Sequence, residues 1–143
     1  ALPISIYSSS KEVQKFFLNY FPVKKTINLI KNFDACFVTI GGFASKKTAG
    51  LLRDSLIDDD KYHLMKSKGV IGQINGVCFD ENGKIVKNID SYIPMSILPD
   101  ANSKKPVIAF AGGSDRVLAI KAALNGRLVN GLITDEVTAE KLL

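Results

Sequence analysis

Twice in this chain a continuous apolar run stops on a pair of glycines. Ala35-Cys36-Phe37-Val38-Thr39-Ile40 ends in Gly41-Gly42, and Val107-Ile108-Ala109-Phe110-Ala111 ends in Gly112-Gly113-Ser114. A short run that is apolar on successive residues is covered on both faces, as strands are in a parallel sheet with helices on either side. The first run is expected to be a central strand of such a sheet. Helical patterns fall between and after the runs, and strands alternating with helices through short loops predict an α/β domain whose sheet is mostly parallel.

The remaining elements follow from local signals. Ser9 with Glu12 three residues on reads as a capping box opening a helix that carries Val13, Phe16, Phe17 and Tyr20 and stops near Pro22. A second helical stretch carries Val23, Ile27, Leu29 and Ile30. Lys46 to Leu56 and Asp59 to Lys68 read as helices, the latter ending at Gly69. Val70 to Ile74 and Val77 to Phe79 are strand-like, and Asp80-Glu81-Asn82-Gly83 predicts a β-hairpin joining Val77–Phe79 to Lys84-Ile85-Val86. A short strand or turn is expected near Met95 to Leu98 in the Pro-punctuated segment. Asp115 to Leu124 reads as a helix with Gly126 as its C-cap, Val129 to Ile133 as a strand, and Thr134-Asp135-Glu136 as the start of the last helix.

Composition excludes several classes. The chain has 143 residues, 46% hydrophobic and 23% charged, which suits one folded domain and not a disordered tail or a disulfide-stapled mini-protein. No apolar run approaches the roughly 20 residues of a membrane-spanning helix. The net charge of +5 raises the question of nucleic acid. The lysines, however, come as scattered pairs such as Lys24/Lys25 and Lys104/Lys105, whereas phosphate tracking needs a dense stripe. Cys36 and Cys78 sit in apolar runs without CxxC spacing or a neighbouring histidine, so they read as small buried hydrophobes. No metal or cofactor is expected, and a cytoplasmic location fits. Ala1 enters directly on the apolar stretch Leu2-Pro3-Ile4-Ser5-Ile6-Tyr7, so the chain is expected to be a portion of a longer one.

Ligands of open α/β sheets bind at the carboxyl ends of strands. Three loops are expected to leave strands there with glycine: Gly41-Gly42, Gly72-Gln73 and Gly112-Gly113-Ser114. At the third, glycines let backbone approach an anion, and a following helix presents N–H groups. Arg116, expected in the first helical turn, has a planar fork suited to phosphate. On the residues alone the same pattern also serves as a tight strand-to-helix turn with a surface arginine. His63 reads as a surface residue, Asp58-Asp59-Asp60 as a helix cap, and Asp135 with Glu136 as capping acids. Ser8, Ser9 and Ser10 have no nucleophile-elbow context, and no catalytic residue is assigned.

Taken together, the stretches resemble the sugar-binding domain of SorC/DeoR-type bacterial transcriptional regulators. Ala111-Gly112-Gly113-Ser114-Asp115-Arg116 through Leu124 is similar to one signature of that family, and Leu132 to Leu143 to its closing LITDE.TA..LL segment. Gly69 to Gly83 is similar to its GAVGDI.G.FFD..G pattern, and Thr39-Ile40-Gly41-Gly42 stands where the family has VGIG. The resemblance implies a Rossmann-like fold shared with sugar-phosphate isomerases and CoA transferases, of which residues 1–143 would be the C-terminal portion of the effector domain. It implies a small phosphorylated sugar as effector and DNA contact only through a helix-turn-helix absent from this chain. It also implies a homo-oligomer, dimer or tetramer, with no membrane partner. Its pocket would be lined by Gly41, Gly42, Gln73, Gly112, Gly113, Ser114 and Arg116. Gln73 stands where the family has a carboxylate and Arg116 where it has a lysine. The alternative is a sugar-phosphate isomerase or deaminase of the same fold, which needs a general acid and base. A third reading is a structural domain with a vestigial pocket.

Overall fold

A computed structural model describes residues 7–30, 32–102 and 104–143. The stretch Leu2 to Ile6 lies outside them. In chain order the elements are β1 (Tyr7–Ser8), α1 (Lys11–Asn19), α2 (Phe21–Ile30), β2 (Cys36–Thr39), β3 (Gly41–Gly42), α3 (Gly50–Arg53), α4 (Asp59–Ser67), β4 (Gly72–Ile74) and β5 (Val77–Phe79). They continue with β6 (Ile93–Pro94), β7 (Val107–Phe110), α5 (Val117–Asn125), β8 (Gly131–Ile133) and α6 (Glu136–Leu142). The two long apolar runs pair in parallel, Cys36 with Val107 through Thr39 with Phe110, and β8 joins on the other side in the order β2-β7-β8. Asn130 locks that join. Its backbone N–H donates to Val107 O at 2.9 Å, while its side-chain Oδ1 accepts from Val107 N–H at 2.7 Å. The expected α/β class with a parallel sheet and flanking helices is therefore what the chain forms.

Beside this sheet lies an antiparallel one in the order β3-β4-β5. Its turn is Asn75-Gly76, both residues at positive φ (51° and 81°), as a two-residue hairpin turn requires. The buried Tyr92 hydroxyl donates to Gly76 O at 2.7 Å and holds that turn in place. The expected hairpin through Asp80–Gly83 forms on the other edge of β5 but stays short: Gly83 N–H closes the turn on Asp80 O at 2.9 Å, Asp80 N–H donates to Lys84 O at 3.0 Å and Val86 N–H to Cys78 O at 2.9 Å, around one bridge, Phe79 with Ile85. The tip of Asp80–Gly83 presses on the end of α5. A Cβ at Gly83 (φ +72°) would lie 2.6 Å from Gly126 Cα and collide with Ala122 O, so this contact demands glycine on both sides.

Two apolar clusters hold the domain. One joins Val38, Ile40, Ile74, Phe79, Val107, Ala109 and Ile120, from both sheets and α5. The other gathers Phe43, Leu51, Tyr62, Met65, Val70, Cys78 and Tyr92 around α4. Burying each large member fully contributes about 1.5–3 kcal/mol. Desolvation pushes the Cys78 thiol up to about 12, so it stays a neutral hydrophobe.

Several boundaries differ from the sequence expectation, each for a local reason. Ser10, not Ser9, caps α1, its hydroxyl accepting from Val13 N–H at 3.2 Å, while Ser8 turns inward to Ser10. The Lys46–Leu56 helix shrinks to Gly50–Arg53, because Thr48 ties its hydroxyl to Ser45 and closes a turn ahead of it. The strand of the Pro-punctuated segment is Ile93–Pro94, paired with Tyr7–Ser8, and not Met95–Leu98. Cys36 is half-buried. Among the described residues β2 is the end of its sheet, not the centre. Its outer face with that of β7 and β8 is bare: Phe37, Phe110 and Ile133 are 60%, 47% and 48% exposed. No helix of the described residues is long and apolar enough to cross a membrane.

Candidate functional site

Gly41-Gly42 and Gly72-Gln73 are not loops. They are β3 and β4, paired antiparallel with Gly41 opposite Gln73 and Gly42 opposite Gly72. Glycine is what lets this ladder sit under its neighbours: a Cβ at Gly72 would lie 2.5 Å from the Phe79 ring and 2.9 Å from Ala119 Cβ. The pairing lays the Gln73 side chain across Gly41, where a Cβ would come within 2.5 Å of Nε2. On the other side, Arg116 runs its stem along Gly42, with Cγ at 3.4 Å from the Cβ position.

Arg116 itself stands at the N-cap position of α5, one residue before the helix, and not inside its first turn. Its backbone N–H donates to Gly113 O at 2.9 Å. The side chain is half-buried, and its Nε is fully buried without a hydrogen-bond partner among the described residues. A buried donor left unpaired costs roughly 1–3 kcal/mol, so this Nε calls for an acceptor from outside the described residues, a water or a ligand.

Gly41, Gln73 and Arg116 open on one cavity of about 320 Å³. The sequence reading missed its far wall, formed by Thr39, Thr48, Arg53 and Asp54. Arg53 forms a fork on its neighbour, Nε to Asp54 Oδ1 at 2.9 Å and Nη2 to Oδ2 at 3.5 Å, and Asp54 holds the guanidinium pKa above its ordinary value. No spacing rule points to Arg53, because α3 is too short to show periodicity.

Gly112 and Gly113 lie against the start of α6, and neither they nor Ser114 are among the residues that line this cavity. Asp135 caps α6 by accepting from Thr138 N–H at 2.9 Å. Its second oxygen accepts from the Thr138 hydroxyl at 2.8 Å and from Gly113 N–H at 3.2 Å, and Gly113 N–H also reaches Thr138 Oγ1 at 2.8 Å. A Cβ at Gly112 would collide with Asp135 Oδ2. The Thr138 hydroxyl, then these backbone donors, hold the Asp135 pKa below its ordinary value. The carboxylate therefore occupies the position where an anion was expected on this loop. Beside it, Thr134 Oγ1 is buried and without a partner among the described residues. Asp58 caps α4 by accepting from Lys61 N–H at 2.7 Å, Asp59 pairs with Lys46 at 2.8 Å, and His63 is exposed against Tyr62.

An α/β domain with a glycine-floored, cationic cavity at the strand ends belongs to the class of small-molecule binding domains. The family model described as "Putative sugar-binding domain" matches residues 1–143. The chain belongs to this family, the sugar-binding domain of transcriptional regulators. It is 31% identical over 144 aligned positions to the transcriptional regulator LsrR of Enterobacter sp. (strain 638), covering 99% of this chain and 45% of that protein. LsrR of Escherichia coli K12 is also 31% identical over the same share. The chain thus spans about half the length of the curated relatives it matches. Its fold matches a solved DeoR family transcriptional regulator from Listeria monocytogenes with a TM-score of 0.85 at 21% identity, over 99% of this chain and 57% of that one. The full-length sorbitol operon regulator SorC from Klebsiella pneumoniae gives 0.78 at 22% identity, over 94% and 44%.

Proposed function

We propose that this domain senses a small phosphorylated sugar in the cytoplasm, within a larger regulator whose DNA-binding part lies outside residues 1–143. The ligand occupies the cavity between β3, β4 and α3, with its phosphate on Arg116. One observation carries this reading: the Arg116 guanidinium, on a glycine floor, keeps a buried Nε that has no partner among the described residues. A phosphate oxygen supplies the missing acceptor in a charge-assisted bond. Ligand binding then shifts an oligomer equilibrium that repositions the DNA-binding parts. The chemistry favours a sensor over an isomerase, since the lining carboxylate, Asp54, is already committed to Arg53 and a general base must be available to the substrate.

A thermal-shift titration against sugar phosphates and their unphosphorylated counterparts tests the reading. Ligand at about 100 times its Kd adds roughly 2.7 kcal/mol to the native state. The expected result is a shift confined to phosphorylated sugars and lost in Arg116→Ala. A shift that survives Arg116→Ala, or silence from the whole panel in the full-length protein, overturns it.

A further inference from the structure

The orientation of the Gln73 amide is set by chemistry. Gly76 N–H donates to Oε1 at 2.6 Å, and only the oxygen end of an amide accepts. The other arm, Nε2, must then point back over Gly41, where there is no side chain to cover it. Among the described residues no hydrogen bond engages Nε2, so its N–H groups are offered to the cavity. The rest of the lining has the same sense. Arg116 brings a guanidinium with an unpaired Nε, Arg53 brings a second, and Asp54 is turned to Arg53. The Thr48 hydroxyl is spent on Ser45. A polyol needs acceptors to receive its hydroxyl hydrogens, and carboxylates are the strongest available. Apart from the Thr39 hydroxyl, which can donate or accept, the side chains left uncommitted in this cavity are donors.

We infer that Gln73 is a specificity residue that selects an acceptor-only group at the end of the ligand remote from the phosphate. The effector is then a phosphorylated sugar acid, its carboxylate on Gln73 Nε2, in preference to the corresponding phosphorylated aldose. This rests on the reading that a phosphate docks at Arg116. An amide suits the role because it donates without charge and so leaves the neighbouring guanidinium groups free to attract the second anion. A carboxylate at position 73 would repel it.

The test is a calorimetric titration of the full-length protein with matched pairs of three- to six-carbon aldose phosphates and their aldonic acid phosphates. The acid of at least one pair should bind about tenfold or more tightly than its aldose. In Gln73→Glu that preference should invert. The variant keeps an oxygen for Gly76 N–H, and circular dichroism confirms that the fold is intact. If both members of each pair bind alike, or if Gln73→Glu leaves the order unchanged, the specificity role is overturned while the phosphate site stands. If no phosphorylated compound binds, the sensor reading falls and this inference with it.

Discussion

The glycine pairs that follow β2 and β7 look alike in sequence and differ in what fills the space above them. Over Gly41-Gly42 lie the ends of two side chains, the Gln73 amide and the Arg116 stem, and both keep an N–H without a partner among the described residues. Over Gly112-Gly113 lies Asp135, whose carboxylate is already satisfied by Thr138 and Gly113. In the first pair Gly41 lines a cavity and Gly42 makes way for the Arg116 stem beside it, and the second pair is a seam that fastens α6 to the end of β7. A glycine pair at a strand end therefore makes room, and the neighbour across the sheet decides whether the room is empty. A negative charge in that room also repels an incoming anion.

The comparison can be broken most directly at Arg116. Arg116→Ala should weaken a phosphorylated ligand by about tenfold to a hundredfold, the worth of a charge-assisted hydrogen bond, with little change in the melting temperature of the free protein. Equal affinity in the two proteins would move the phosphate away from the first pair.

The paired glycines make the contrast sharper. Gly112→Ala drives a methyl into the pinned Asp135 carboxylate, and the expected loss is about 1–3 kcal/mol of stability, measured by denaturant unfolding. Gly41→Ala meets the Gln73 side chain, whose Nε2 end is engaged by no hydrogen bond among the described residues and whose Oε1 is held by Gly76 N–H, so it should cost less stability than Gly112→Ala, about 1 kcal/mol or below, while ligand affinity falls several-fold. Similar profiles for the two variants would erase the distinction between floor and seam.

Thr138 is fully buried and bridges Asp135 to Gly113. Thr138→Val keeps the shape and removes the hydroxyl, so it should cost about 1 kcal/mol, or a melting temperature lower by about 4 °C, without touching affinity. The smallest effect is with pH. Asp135 is held below its ordinary pKa of 3.8 in the folded state, so it contributes stability above that value and loses it as the pH falls through the folded-state pKa. Unfolding midpoints followed from about pH 5 to 2 should therefore drop more steeply in the parent than in Asp135→Asn. Parallel curves would show that the carboxylate is not the seam's anchor.

Much of this was legible without coordinates. The strand runs, the helices after them and the Asp58 and Asp135 caps were all visible, because caps and periodicity act within a few residues. Gly41, Gln73 and Arg116 were also singled out. What could not be read was that Gly41 and Gln73 face each other across a ladder, since antiparallel pairing over thirty positions leaves no local mark. Arg53 was missed because its helix, Gly50–Arg53, is too short to show periodicity. The loop of Gly112, Gly113 and Ser114 has the anion-binding form in sequence, and nothing near it along the chain reveals that Asp135 folds back onto Gly112 and Gly113.

The outer face of β2 and β7 shows the same division. Phe37 and Phe110 announce a strand apolar on both sides, and that is a property of the sequence. Which side is covered depends on what packs there, and among the described residues it is the side of Val38 and Ala109. Local propensity, capping and apolar runs determined the elements of this protein and their class. Tertiary structure decided which donors were left unpaired, because a hydrogen bond closes between groups near in space, however far apart they lie along the chain.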